Sequence, residues 1–249
     1  MPGSLGGKAR DRLALGLDVS SLSEAAAVLE ALHGAVGWLK VGSELFVAAG
    51  PPAVALAAAH GRVFLDLKLH DIPNTVARAV RAAVGLGVSL LTVHAAGGRE
   101  MLEAARDAAA EAATRSGQER PRIVGVTVLT SLAETDLALA GVAGGLCSQV
   151  ARLVDLAAAA GLDGVVASAQ EAAEIRRRMG PDFFLVTPGV RPRGASADDQ
   201  ARTATPAEAI AAGADLLVVA RPILRAPDPA AAARAIVAEI EAAAAAPHV

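Results

Sequence analysis

Eight times along this chain, a short and nearly unbroken apolar run ends in a polar residue. Each time it gives way to an alanine-rich stretch with spaced charges. The runs fall at 13–17, 38–41, 63–67, 90–93, 123–129, 164–167, 183–186 and 216–219. They lack polar alternation, as strands covered on both faces do. The stretches at 22–32, 44–59, 74–86, 99–114, 146–160, 169–179, 206–212 and 229–245 read as helices. Ser20, Ser21 and Ser23 offer N-caps for the first of them. Pro206 follows Thr205 at a helix start, and Gly61, Gly161 and Gly180 stand where C-caps are wanted. Eight strand–helix units predict an α/β protein, a (β/α)8 TIM barrel forming one domain over residues 1–249, with 1–11 as a flexible N-terminal extension. The rival is an open doubly wound sheet. It is disfavoured because Gly16-Leu17-Asp18-Val19-Ser20-Ser21, after the first run, is not a dinucleotide-binding glycine pattern, and because no linker or composition shift marks a second domain.

Composition narrows the function. Hydrophobic residues make up 53% of the chain and charged residues 20%, which excludes a disordered protein. Aromatics are 2%, so the core must be built from Leu, Val, Ile and Ala. A net charge of −3 and the scarcity of aromatic platforms argue against a nucleic-acid partner. The single cysteine, Cys147, excludes a disulfide framework and reads as a small buried residue. His33, His60, His70 and His248 show no metal-ligand spacing, so no metal site is expected. The longest charge-free runs, 45–61 and 82–98, are interrupted by proline or glycine and by histidine. No membrane partner follows, and with no signal-like apolar segment at the start, a cytoplasmic location is expected.

In a (β/α)8 barrel the chemistry sits at the C-terminal ends of the strands. Those ends carry Asp18, Lys40, the cluster Asp66-Leu-Lys68-Leu-His70-Asp71, His94, Thr130 and Ser131, Ser168, Thr187-Pro188-Gly-Val-Arg191, and Arg221. Residues two apart on a strand share a face, so Asp66 and Lys68 point together into the barrel mouth, with Lys40 on the neighbouring strand. A lysine between carboxylates stays protonated, which makes Lys68 a proton donor rather than an imine-forming nucleophile. The bland reading of this row is a salt-bridge network that only closes the barrel. Arg191 and Arg221 follow strands seven and eight, where such barrels hold phosphate, and the alternative is two exposed loop arginines. The connection from Arg191 to Thr205 is long enough to serve as a lid. Asp18 suits either a sugar hydroxyl or a helix cap. His94 suits either orienting the cluster or filling the core.

The motifs Leu-Asp18-Val-Ser, Lys40-Val-Gly, Asp66-Leu-Lys-Leu-His-Asp-Ile-Pro-Asn-Thr75, Thr-Val-His94-Ala, Leu-Thr130-Ser, Thr-Pro-Gly-Val-Arg191-Pro, Asp199-Gln200 and Arg221-Pro-Ile run in order from about residue 13 to 225. Together they resemble the bacterial type of the orotidine 5′-phosphate decarboxylase family. The ten-residue segment at 66–75 is the specific part; Asp-x-Lys-x-x-Asp alone is shared with related phosphosugar decarboxylases. The resemblance implies decarboxylation of orotidine 5′-phosphate to UMP in pyrimidine synthesis, without cofactor or metal. It implies Lys68 as proton donor to C6, Asp66 and Asp71 as its flanking acids, and Lys40 completing the charged row. Asp18 and Lys40 would hold ribose hydroxyls, and Thr130 and Ser131 the pyrimidine edge. Arg191 and Arg221, with Pro188 and Ala220 beside them, would bind phosphate, and Gln200 would lie on the closing lid. It also implies a homodimer in which Asp71, Ile72 and Thr75 reach the partner's site. Ala220 departs from the family's usual glycine, at a cost if that position needs a positive φ. Arg193 replaces a residue often acidic in the family. Two alternatives stand beside this reading: a metal-dependent phosphosugar decarboxylase or epimerase of the same superfamily, and a non-catalytic nucleotide-binding barrel.

Overall fold

The computed structural model describes residues 8–192 and 203–245. Eight parallel strands, β1 (Leu13–Gly16), β2 (Trp38–Gly42), β3 (Arg62–Leu69), β4 (Leu90–His94), β5 (Arg122–Val126), β6 (Gly164–Val166), β7 (Phe184–Thr187) and β8 (Leu216–Val219), close into a barrel in sequence order. The ring is sealed where β1 meets β8, with Leu13 opposite Leu217 and Leu15 opposite Val219. Around it lie α1 (Leu22–Leu32), α2 (Ser43–Ala49), α3 (Pro51–Ala58), α4 (Pro73–Gly85), α5 (Arg99–Ser116), α6 (Glu134–Leu139), α7 (Gly145–Ala159), α8 (Ala169–Met179), α9 (Pro206–Ala211), α10 (Arg221–Leu224) and α11 (Pro229–Ala245). The eight-unit reading of the sequence therefore holds.

Strand alternation splits the interior into two cores. Leu13, Leu15, Leu39, Val41, Leu65 and Leu91 face outward onto the helices. Ala14, Trp38, Phe64, Leu90, Val124, Phe184, Leu216 and Val218 fill the barrel itself. The few aromatics are concentrated here. Arg62 lies over the Trp38 ring at 4.5 Å and Arg122 over the Phe184 ring at 4.6 Å, which plugs the N-terminal end. The open end is thus the C-terminal one. Gly164 is required by this packing: a Cβ there would sit 1.8 Å from the carbonyl oxygen of Phe184.

Several local expectations are corrected. The helix expected over 44–59 is two helices, because Gly50 takes φ 62° and Pro51 opens α3; a proline has no N–H to continue the ladder. The strand expected over 123–129 ends at Val126, leaving 127–129 to enter the mouth. Residues 9–11, assigned to a flexible extension, form a 3₁₀ turn with Arg12. It is fixed by Asp11 pairing with Arg62 at 3.0 Å and by the Trp38 indole N–H donating to the Asp11 carbonyl at 3.0 Å. Cys147 is exposed rather than buried: it lies in the first turn of α7, ahead of the buried stripe Val150, Leu153, Val154 and Ala157. Among the described residues no helix is long and apolar enough to cross a membrane.

Candidate active site

The C-terminal mouth opens on a cavity of about 310 Å³. Its charged wall is built from neighbouring strands. Lys40 comes from β2, and Asp66 and Lys68 from β3. The Lys68 ammonium donates to Asp66 Oδ2 at 2.8 Å, and the Lys40 ammonium stands 3.7 Å from the same oxygen. Lys40 also donates to Asp18 Oδ1 at 3.2 Å, so the order along the row is Asp18, Lys40, Asp66, Lys68 with alternating sign. Ser21, not Asp18, caps α1, accepting from the Glu24 N–H. Asp18 lines the mouth instead.

Simple alternation does not explain how Lys68 reaches Asp66. The β3–β4 register jumps from Leu65 opposite Leu91 to Leu69 opposite Val93, four residues of one strand against two of the other. Inside that bulge Lys68 adopts φ 50°, a left-handed conformation unfavourable for a residue with a Cβ. Its backbone N–H donates to Thr92 Oγ1 at 2.9 Å, and the same hydroxyl donates to Asp66 Oδ1 at 2.9 Å. Sequence reasoning passed over Thr92. The available signal was a hydroxyl residue in the middle of the apolar run 90–93, two positions from His94 and on its face.

Burial pushes the Asp66 carboxyl upward. The attraction of Lys40 and Lys68, with hydrogen bonds from Lys68 and Thr92, outweighs burial and leaves it below its ordinary value. Asp66 therefore favours the folded chain at pH values above the unfolded carboxylate value of about 4. That contribution fades as pH falls from there through the lowered folded value. His94 is half-buried, with its ring 5.3 Å from that of His70. Burial, then His70 and Lys68, holds its imidazole below the usual value, favouring the neutral form.

Thr130 and Ser131, after β5, also line the cavity, as do Pro188 and Arg191 after β7 and Ala220 and Arg221 after β8. The Arg191 side chain is buried, and its backbone N–H donates to the Ala204 carbonyl at 2.9 Å. Ala220 has φ −124°, so the position does not call for glycine. Asp71, Ile72 and Thr75 are not brought into this cavity: Asp71 accepts from the Ile72 N–H at 2.7 Å, and Ile72 is 67% exposed at the start of α4. Asp71 is thus not a second neighbour of Lys68 within one chain. Gln200, Asp199 and Arg193 lie outside the described residues. Among the described residues, no three of His, Cys, Asp and Glu gather as a metal-ligand set.

A closed eight-stranded barrel with an acid–base row across its C-terminal mouth defines the class: a TIM-barrel enzyme that works at its strand ends. The Orotidine 5′-phosphate decarboxylase / HUMPS family matches residues 11–236, and the chain belongs to it. The orotidine 5′-phosphate decarboxylase of Moorella thermoacetica is 53% identical over 235 residues, 94% of this chain and 93% of its own length. That of an Anaeromyxobacter strain is 53% identical over 232 residues, 93% of this chain and 99% of its own. Among solved structures, orotidine 5′-phosphate decarboxylase from Lactobacillus acidophilus superposes with a TM-score of 0.82 at 36% identity, covering 92% of this chain and 99% of that one.

Proposed function

We propose that Lys68 delivers the proton as this chain decarboxylates orotidine 5′-phosphate to UMP, the reaction of pyrimidine biosynthesis. The carrying observation is the Lys68 ammonium, fixed 2.8 Å from a buried carboxylate and facing the cavity. When the bond from C6 to the carboxylate breaks, CO2 leaves and the electron pair stays on C6. The ring cannot delocalise that pair. A cation already in place stabilises it without reorganising, which is where an enclosed charged site gains most over water. One Lys68 N–H proton then passes to C6, giving UMP and a neutral amine that solvent reprotonates. Asp66 holds the ammonium in position, and Lys40 keeps the buried Asp66 carboxylate paired once Lys68 has given up its proton.

Asp18 and Lys40, at the rim of the row, suit the ribose hydroxyls. Thr130 and Ser131 suit the polar pyrimidine edge. Arg191 and Arg221 suit the phosphate, beside Pro188 and the backbone of Ala220. The direct test is loss of orotidine 5′-phosphate absorbance on adding purified protein in the presence of EDTA. Full activity in chelator is expected. Loss of activity in chelator would favour a metal-dependent relative, and binding of UMP without turnover would favour a non-catalytic barrel.

The exposed Asp71, Ile72 and Thr75 support a homodimer in which these residues complete the partner's cavity. A chain with Asp71→Ala and a chain with Lys68→Ala should each be nearly inactive alone. Mixed in equal amounts and allowed to exchange, half the dimers would carry one intact site, restoring about a quarter of wild-type activity. No recovery, with exchange shown by differently tagged chains, would place Asp71 in its own subunit's chemistry or outside it.

A further inference from the structure

We infer that Thr92 is the positioning residue that sets the geometry of the Asp66–Lys68 pair. The inference rests on the decarboxylase reading above and extends it to a residue outside the cavity lining. Thr92 is fully buried on β4, behind the charged wall. Its single hydroxyl proton goes to Asp66 Oδ1 and its lone pair receives the Lys68 backbone N–H, each at 2.9 Å. Asp66 Oδ2 in turn accepts from the Lys68 ammonium at 2.8 Å. The result is a closed circuit that leaves the backbone of Lys68 and returns to the tip of the same side chain, through Thr92 and Asp66.

Each link answers a specific need. The bulge in β3 removes the Lys68 N–H from the regular ladder between Leu65 and Leu69, and a buried N–H must be satisfied by something. Thr92 supplies the acceptor at the one place where β3 departs from its neighbour. Among the described residues only His33 and Lys68 have positive φ without being glycine, and His33 lies at the end of α1, where such a conformation is common. Lys68 is held in the unfavourable conformation by its surroundings, and the Thr92 hydroxyl is the side-chain group that binds its backbone. The groups facing Asp66 are Lys40 from β2, Lys68 from β3 and Thr92 from β4, with only Thr92 acting on backbone and carboxylate at once. Hydrogen bonds arranged in series also strengthen one another in a buried site.

The test uses the full chain with Thr92→Val, which keeps the shape and removes the hydroxyl, and Thr92→Ser, which keeps the hydroxyl. Thr92→Val should lower kcat about 10- to 100-fold, the scale of a small misplacement of a catalytic group. KM for orotidine 5′-phosphate and the affinity for UMP should change less than about threefold, because the residue does not touch ligand. Thr92→Ser should keep kcat within about threefold of wild type, since the hydroxyl remains. Thr92→Ala gives the same comparison if the valine chain does not fold, with UMP binding reporting an intact site. A valine variant within twofold of wild-type kcat, or serine and valine variants equally impaired, or kcat and UMP affinity falling together, would overturn the inference while the decarboxylase reading stands. A wild-type chain without turnover would overturn both.

Discussion

Replacing Lys68 with alanine should lower kcat by at least about 10³-fold while UMP still binds measurably, read by the absorbance assay and by calorimetry. Three features of the site argue for so large an effect on rate alone. The ammonium faces the cavity and is held by Asp66, so it is available as both countercharge and acid. Lys40 cannot substitute, because its own ammonium is committed between Asp18 and Asp66. The phosphate side of the cavity, with Arg191 and Arg221, is untouched by the change. Backbone strain does not confuse the comparison, since alanine at φ 50° suffers the same Cβ crowding as lysine. The substitution also leaves Asp66 with Lys40 as its one close cation, so its carboxyl should titrate at higher pH than in the wild type. A Lys68→Ala chain with turnover within tenfold of wild type would remove the proton-delivery role.

The second large effect concerns the part of the substrate farthest from the chemistry. Orotidine lacking its phosphate should show kcat/KM lower by on the order of 10³-fold or more, two charge-assisted arginine contacts contributing roughly 2 kcal/mol each. The important expectation is that kcat falls too. Binding energy at Arg191 and Arg221 is useful to the reaction only if some of it is realised when the site is assembled around the reacting carbon. Arg191 is well placed for this, because it is buried and its backbone is tied to Ala204 across the connection between β7 and α9. Steady-state assays with orotidine on wild type, and with the full substrate on Arg191→Ala and Arg221→Ala, should show the same pattern. Equal kcat with and without phosphate would mean that the arginines only hold the ligand.

The architecture was legible because its signal is repeated. Eight near-continuous apolar runs admit few arrangements, and small errors at single boundaries do not change the outcome. Local conformation was less legible. Pro51-Pro52 was visible in the sequence, yet the break at Gly50 depends on the turn that lets α3 start in a new direction. Cys147 was misplaced because burial habit says nothing about where a helix overhangs its neighbours. The charged row was readable from strand-end chemistry, but strict alternation met the right residues by an incomplete route. The bulge and the left-handed Lys68 arise from pairing with β4, and no pattern within 66–71 announces them. Thr92 escaped notice for a related reason: a threonine in an apolar run is unremarkable until the carboxylate opposite it is known. Asp71 was grouped with Lys68 by its nearness in sequence, whereas the chain turns it away into the loop before α4.

The seam where Leu13 meets Leu217 has a consequence for how the chain must come into being. More than two hundred positions separate the partners, so the ring cannot be sealed until β8 has been synthesised. Until then β1 and whichever strand was made last both present unpaired backbone, a template for sticking to other nascent chains. The emerging protein thus carries two unpaired strand edges until β8 clears the ribosome and can be drawn into the ring.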